Sequence, residues 1–270
     1  MYYLINNKFF NSKESQIPFD DSGFLFGDGL FETMRFDNKK IFSSNKHLER
    51  LKVGLKLINL NIPFSKHELN IMLNRVISKN RINDGLLKLI ITRGLESENY
   101  KNPKVYISIK KLYKIPQNPV KVVYFKESNY PIIRYKPAIK SINYIGNMLA
   151  KRHADELGFY EPVFYNSDNL VTECAIRNIF YIKNNTLITP SLDLGILSGV
   201  MRDTIIDIAK YLNIDIQQTY INLNDINSMD EAFISSTGIG LLPCYWENWD
   251  SNFEITKLIK KELYKRIKNN

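Results

Sequence analysis

Cysteine is scarce: the chain has two, Cys174 and Cys244, in 270 residues. Two cannot build a disulfide framework, and no ligand cluster for zinc accompanies them, so no metal site is expected. Both thiols read as small buried apolar residues. Long apolar runs are missing as well. None reaches the ~18–20 residues that cross a bilayer, so no membrane segment is expected. The opening MYYLINNKFF has no basic head followed by an apolar core, and is not a signal peptide. There is no internal repeat and no low-complexity segment. These absences leave a cytoplasmic globular protein.

What is present is consistent with that class. The apolar fraction of 44% is ordinary for a protein with a real core, and the length suffices for one large or two modest domains. The formal charge is +9. Its lysines are spread along the chain, and the densest cluster, KLIKKELYKRIKNN at the C-terminus, has apolar residues at helical spacing. That is a surface helix rather than a nucleic-acid arm, so neither nucleic acid nor membrane is expected as a partner. A moderate positive field does suit anionic small molecules.

Taken in order, residues 2–5 and 8–10 flank a hairpin turn at Asn6-Asn7. Gly27 and Gly29 form a tight turn before a strand from Thr33 to Phe36, and Asp37-Asn38 turns the chain again. Ser44 is expected to cap a helix running to about Asn59, with Leu48, Leu51, Leu55 and Ile58 on one face. Arg50 lies off that stripe and by itself reads as a solvated charge. Ser65 to Glu68 is a capping box for a second helix, with Leu69, Met72, Leu73 and Val76 inward. Leu86–Thr92 and Val105–Ile109 read as strands. The stretch Lys114 to Val120, with two prolines, is the expected linker. The domains are therefore 1–113 and 121–270, joined by 114–120.

In the second half a strand covers 121–125, and a helix near Ile142 to Leu157 closes at Gly158. Lys140 precedes it and by itself is one lysine among many, its stem partly shielded by Ile139 and Ile142. Glu173 leads into an apolar strand, Ile179 to Ile182, and then a turn at Asn184-Asn185 and a strand from Thr186 to Thr189. Gly199 opens a helix at Val200. A helix N-terminus presents N–H groups and positive potential, so it is suited to an anion, and an acid such as Glu173 can hold a cationic ring. By itself a glycine before a helix is simply punctuation. A strand from Glu231 ends at Ser235-Ser236-Thr237-Gly238, where hydroxyls commonly cap a turn.

The order Glu173, Ala175, Asn178, Ile179, Phe180, then Leu187 and Thr189, then Leu197, Gly199, Val200 and Arg202 fills every fixed position of a long pattern. It resembles the class IV pyridoxal-phosphate (PLP) enzymes: branched-chain aminotransferases, D-amino acid aminotransferases and aminodeoxychorismate lyases. HLERL (His47 to Leu51), FGDGLFET and KSINYIGNMLAK also resemble that family. The resemblance implies an α/β (α+β) protein of PLP fold type IV, with a smaller N-terminal α/β domain, a larger C-terminal domain with a barrel-like sheet, and the cofactor between them. It implies that Lys140 forms the Schiff base with pyridoxal 5′-phosphate and that Glu173 holds the ring nitrogen. It further implies that Arg50, the N-terminus at Val200 and Met201, and Ser236 and Thr237 hold the phosphate. Tyr144 is placed near the ring hydroxyl, Asn178 belongs to the same cofactor pattern, and a homodimer is implied.

Two activities fit the resemblance. The first is a lyase that converts 4-amino-4-deoxychorismate to 4-aminobenzoate and pyruvate for folate synthesis. Chain length, Thr33 in FET-x-R, the form TPSLDLGILSGVMR and the segment TGIGLLPC favour it, with Thr33 assisting proton transfer. The alternative is an aminotransferase for D-amino acids or branched-chain amino acids. Relatives place an arginine for the substrate carboxylate about where this chain has Glu98; Arg93, Arg134 and Lys136 are the substitutes considered. A basic scaffold or RNA-binding protein is the non-enzymatic alternative, and would bind nucleic acid in a salt-sensitive way.

Overall fold

The computed structural model describes residues 1–268. The chain divides into two compact units, Met1–Tyr113 with Ile139–Asn143, and Lys114–Ala138 with the chain from Tyr144 onward.

The first unit is built on one antiparallel sheet. Its strands are β1 (Tyr2–Ile5), β2 (Lys8–Asn11), β3 (Gly29–Asp37), β4 (Lys40–Ile41), β5 (Gly85–Thr92) and β6 (Lys104–Lys111), in the order β2-β1-β6-β5-β3-β4. Asn6 and Asn7 turn the first hairpin at φ 45° and 69°, a conformation asparagine tolerates. Three helices accompany the sheet: α1 (Ser22–Phe26), α2 (Ser44–Leu57) and α3 (Lys66–Asn80). Strand residues alternate between faces. Leu30, Met34 and Phe36 of β3 and Leu87, Leu89 and Ile91 of β5 join one core with Leu48, Leu51 and Leu55 of α2 and Leu69, Met72 and Leu73 of α3. The opposite face carries Phe31, Thr33, Lys88, Ile90 and Tyr106.

Two local expectations need correction. The cap position of α2 is Ser43, at φ 50° and with no side-chain cap, so Ser44 is the first helical residue rather than the cap. The second turn is centred on Asn38 and Lys39, both with positive φ, one residue later than expected. The capping box of α3 forms as its spacing demands: Ser65 accepts from the Glu68 N–H, and Glu68 accepts from the Ser65 N–H.

A buried carboxylate ties α1 to the sheet. Asp21 is fully buried and accepts from the Gly23 N–H (2.8 Å), Thr92 Oγ1 (2.9 Å) and the Tyr106 hydroxyl (2.7 Å). Replacing it with alanine strands those donors. Asp21→Ala is expected to cost roughly 2–4 kcal/mol, read as a lower urea midpoint at unchanged slope. A midpoint equal to wild type would refute the role.

The second unit contains β7 (Val120–Lys126), β8 (Glu161–Tyr165), β9 (Val171–Cys174), β10 (Asn178–Lys183), β11 (Thr186–Pro190), β12 (Asp215–Thr219), β13 (Glu231–Ser236) and β14 (Gly240–Tyr245). They form one curled sheet, β12-β11-β10-β13-β14-β7-β8-β9, parallel at three of its pairings. Its helices are α4 (Ile145–Glu156), α5 (Val200–Tyr211) and α6 (Glu254–Lys268). The core includes Val122, Val163, Ile179, Tyr181, Ile234 and Leu242, with both cysteines buried and unbonded. The basic C-terminal cluster forms α6, which buries Thr256, Ile259, Leu263 and Ile267 and exposes its lysines. Residues 269 and 270 of that cluster lie outside the described residues. Among the described residues no helix is long and apolar enough to cross a membrane.

The helix expected from Ile142 begins at Ile145 instead. The reason is long-range pairing. Residues 139–143 run extended along β3: the Phe31 N–H donates to the Lys140 carbonyl (2.9 Å) and the Ile142 N–H to the Gly29 carbonyl (3.1 Å). The segment that carries Lys140 therefore packs with the first unit, although the sequence boundaries place it in 121–270.

Candidate active site

The Lys140 segment is fastened at both ends of its contact with β3. Leu30 and Ser141 form a bridge, and Asn143 donates to the Gly27 carbonyl (2.8 Å) and to the Ser141 hydroxyl (3.0 Å). Gly29 sits tightly between β5 and this segment: a Cβ there would lie 2.4 Å from the Ile91 carbonyl oxygen and 3.1 Å from Ile142 Cδ1. The register sets Lys140 beside Phe31, and the Lys140 ammonium nitrogen lies 4.4 Å from the centre of the Phe31 ring. Thr33 lies two residues further along the same face of β3, as the alternation of a strand requires. The motif residues around positions 27–33 and 139–143 thus build one local structure.

Glu32, on the other face, joins Arg50 and His47. Arg50 grips the carboxylate in a fork, Nε to Oε1 and Nη2 to Oε2, both at 2.7 Å, and His47 Nδ1 lies 2.7 Å from Oε2. Glu32 and His47 are buried, which corrects the reading of Arg50 as a solvated charge: its side chain is 15% exposed. Burial pushes the Glu32 pKa up, but the Arg50 charge and the His47 hydrogen bond outweigh it and hold the carboxyl at about 2. Burial lowers the His47 pKa against the pull of Glu32, so the imidazole stays neutral at neutral pH.

The remaining site residues belong to the second unit. Glu173 is paired with Arg134, and its second oxygen accepts from the Leu197 N–H (3.2 Å). The Tyr144 hydroxyl donates to the Ala175 carbonyl (3.0 Å), as does Asn147 Nδ2 (2.7 Å), so α4 is tied to the turn that follows Glu173. Asn178 donates to the Leu197 carbonyl (3.0 Å) and stands opposite Ser235 in the sheet. Gly199, the N-cap of α5, abuts Asn178 so closely that a Cβ would lie 2.0 Å from its Oδ1. Gly199 has no side chain with which to cap that helix start. Asn178 therefore connects the N-terminus of α5, where Val200 and Met201 lie, with the end of β13, where half-buried Ser236 and Thr237 follow. Arg202 is buried and donates to the Pro190 carbonyl (3.0 Å) and Gln218 Oε1 (3.0 Å), so this motif residue braces β11 and β12.

Two of the substitutes for the missing arginine are already engaged. Arg93 clasps Asp28 and donates to the Ile58 carbonyl, and Arg134 is held by Glu127, Glu173 and Thr172. Glu98 is paired with Lys104. Lys151, four residues before Asp155 on α4, is paired with it. Lys88 is a residue that sequence reasoning missed. It is the partner of Thr33 across β3 and β5, and its ammonium nitrogen lies 4.8 Å from the Phe31 ring centre.

The Amino-transferase class IV family matches residues 29–245. The chain belongs to the class IV aminotransferase family. It is 34% identical over 254 residues to a D-alanine aminotransferase of Listeria monocytogenes, covering 90% of this chain and 86% of the relative. It is 31% identical over 251 residues to the aminodeoxychorismate lyase of Bacillus subtilis, covering 88% and 84%. A solved structure of a putative 4-amino-4-deoxychorismate lyase from Legionella pneumophila superposes with a TM-score of 0.85 at 26% identity, covering 94% of this chain and 97% of that one. This class IV enzyme has the type IV fold, and its cofactor is pyridoxal 5′-phosphate. The residues present suit that group. The α5 start, with glycine at its N-cap, is of the kind that offers N–H groups to a phosphate, and the buried hydroxyl of Ser235, opposite Asn178 in the sheet, has no hydrogen-bond partner among the described residues.

Proposed function

We propose that this class IV enzyme is a lyase that converts 4-amino-4-deoxychorismate to 4-aminobenzoate and pyruvate, a step of folate synthesis. The observation that carries the reading is the place of Thr33: it shares a strand face with Phe31, the ring against which Lys140 lies. A hydroxyl on the side of the reacting amine can supply the proton that an elimination requires, and transamination has no need of one there. Kinship with the Bacillus subtilis lyase supports the same reading.

In this reading the Lys140 amine would hold the cofactor through its aldehyde and would take up the proton of the carbon that bears the substrate amine. Bound PLP withdraws electrons from that carbon. The ether bond that joins the enolpyruvyl unit to the ring would break, and the proton taken up by Lys140 would pass by way of Thr33 to the methylene carbon, so that the unit leaves as pyruvate. Glu173, braced by Arg134, would hold the ring nitrogen, and Tyr144 would approach the ring hydroxyl. Arg50, the N–H groups of Val200 and Met201, and the hydroxyls of Ser236 and Thr237 hold the phosphate. Asn178 acts by holding Leu197 and Gly199 in place. The reading also carries a cytoplasmic homodimer.

Aminotransfer to D-amino acids or branched-chain amino acids is the second reading, favoured by the 34% identity to the Listeria D-alanine aminotransferase. One experiment separates the two. Holoenzyme is incubated with aminodeoxychorismate and no keto acid, and 4-aminobenzoate is followed. A lyase turns over continuously. Product that stops near one equivalent per active site, and resumes when a keto acid is added, would instead mark an aminotransferase. Thr33→Val is expected to slow the lyase reaction by about 10²–10⁴-fold at unchanged cofactor absorbance. A wild-type rate in that variant removes Thr33 from the chemistry.

A further inference from the structure

We propose that Lys88 receives a carboxylate of the substrate, and that this contact makes the site selective for anionic substrates. The inference rests on one premise of the proposed function, that Lys140 carries the reacting group. It does not need the lyase assignment.

Geometry comes first. Two ammonium groups lie near the Phe31 ring, Lys140 at 4.4 Å and Lys88 at 4.8 Å from its centre. Their separation is at most the sum of those distances, a gap that a small acid joined through its amine at Lys140 can bridge. Lys88 and Thr33 are direct partners in the β3–β5 ladder, so their side chains stand together on this face. A carboxylate bound at Lys88 would hold the substrate between the reacting amine and the hydroxyl.

Charge points the same way. No carboxylate pairs with Lys88 among the described residues; the charged neighbour it feels is Lys110, which repels it. Desolvation, and then Lys110, lower its pKa, so the ammonium is under electrostatic stress although its tip is exposed. The stem helps to wall a groove of about 500 Å³, lined also by Ile5, Ile90, Tyr106, Ser108 and Ile142. Asp21 reaches the same groove, but its oxygens already accept from Gly23, Thr92 and Tyr106. A cation held there without a protein counter-ion has a use if the counter-ion is the ligand.

Two of the alternatives, Arg93 and Arg134, are occupied. Arg93 is committed to Asp28, Arg134 to two glutamates, and Glu98 brings the wrong charge. Lys88 is the cation that faces Phe31 together with Lys140.

The test uses holoenzyme of the wild type, Lys88→Met and Lys88→Arg. Three quantities are read: the visible absorbance of bound cofactor, the affinity for 4-aminobenzoate and for 4-methylvalerate by calorimetry, and KM and kcat for whichever of aminodeoxychorismate or D-alanine with 2-oxoglutarate the wild type turns over. Lys88→Met is expected to keep the absorbance, to weaken carboxylate binding and raise KM by about tenfold to a hundredfold, and to change kcat far less. Lys88→Arg is expected to recover most of the affinity. The proposal is overturned if Lys88→Met binds both acids as the wild type does, if the wild type binds neither, or if the variant loses its cofactor absorbance. Turnover of D-alanine alone would end the lyase reading and leave the Lys88 comparison intact.

Discussion

Lys140→Met is expected to yield a folded protein without the visible absorbance of covalently held cofactor, its activity reduced by at least about 10⁴-fold. No other group supplies the amine in the same place. Lys140 is positioned by two backbone hydrogen bonds to β3 and by the Asn143–Ser141–Gly27 clasp, and methionine preserves all of these. The substitution therefore removes the amine and little else. Lys151, which matches a later lysine of the same motif, is paired with Asp155 on the surface of α4. Lys151→Met is the matched control and is expected to keep both absorbance and rate. If instead Lys140→Met stayed coloured and Lys151→Met bleached, the assignment would pass to Lys151.

The second large effect concerns stability. Glu32→Gln is expected to destabilise the cofactor-free protein by about 3–5 kcal/mol at neutral pH, because it leaves the Arg50 charge without the carboxylate that neutralises it. The penalty depends on pH in a definite direction. The folded Glu32 carboxyl titrates at about 2, below the 4.5 of an ordinary glutamate. It therefore stabilises the fold fully above the ordinary value and ceases to do so as pH falls towards 2. A shift of this size is worth about 3 kcal/mol. His47 acts in the same sense, since its lowered pKa favours the fold above the ordinary histidine value of 6.5 and disfavours it as the medium becomes acid. Urea midpoints of wild type and Glu32→Gln at pH 7 and at about pH 3 provide the check. The gap between them is expected to narrow in acid, and a gap that stays constant would contradict the account of the buried network.

The parts of the fold that were legible in advance are those set by neighbours in the chain. The Asn6-Asn7 hairpin, the Ser65–Glu68 capping box and the Gly199 start of α5 each follow from a few adjacent residues. What escaped was set by distant ones. Residues 139–143 read as the lead into a helix, yet they are extended because β3, more than a hundred positions earlier, offers them hydrogen-bond partners. Helical spacing put Arg50 off the apolar stripe and so on the surface. It could not show that Glu32, eighteen residues upstream, waits there to pair with it. Lys88 was missed because GLLKLIIT reads as a strand of the core, in which one lysine draws no notice. Its signal, a lone cation opposite the strand that carries Thr33, exists only once the ladder register is known. Family resemblance pointed to Lys140 as the candidate lysine where composition and periodicity could not.

The claim on which the account depends is that the ε-amine of Lys140 is the one joined to the cofactor. Reduction of the holoenzyme with borohydride, followed by proteolysis and mass spectrometry, makes that link permanent and locates it. The account predicts a single phosphopyridoxyl-labelled peptide, modified at Lys140. Label at Lys151, at Lys88 or at any other lysine, with Lys140 unmodified, would contradict it.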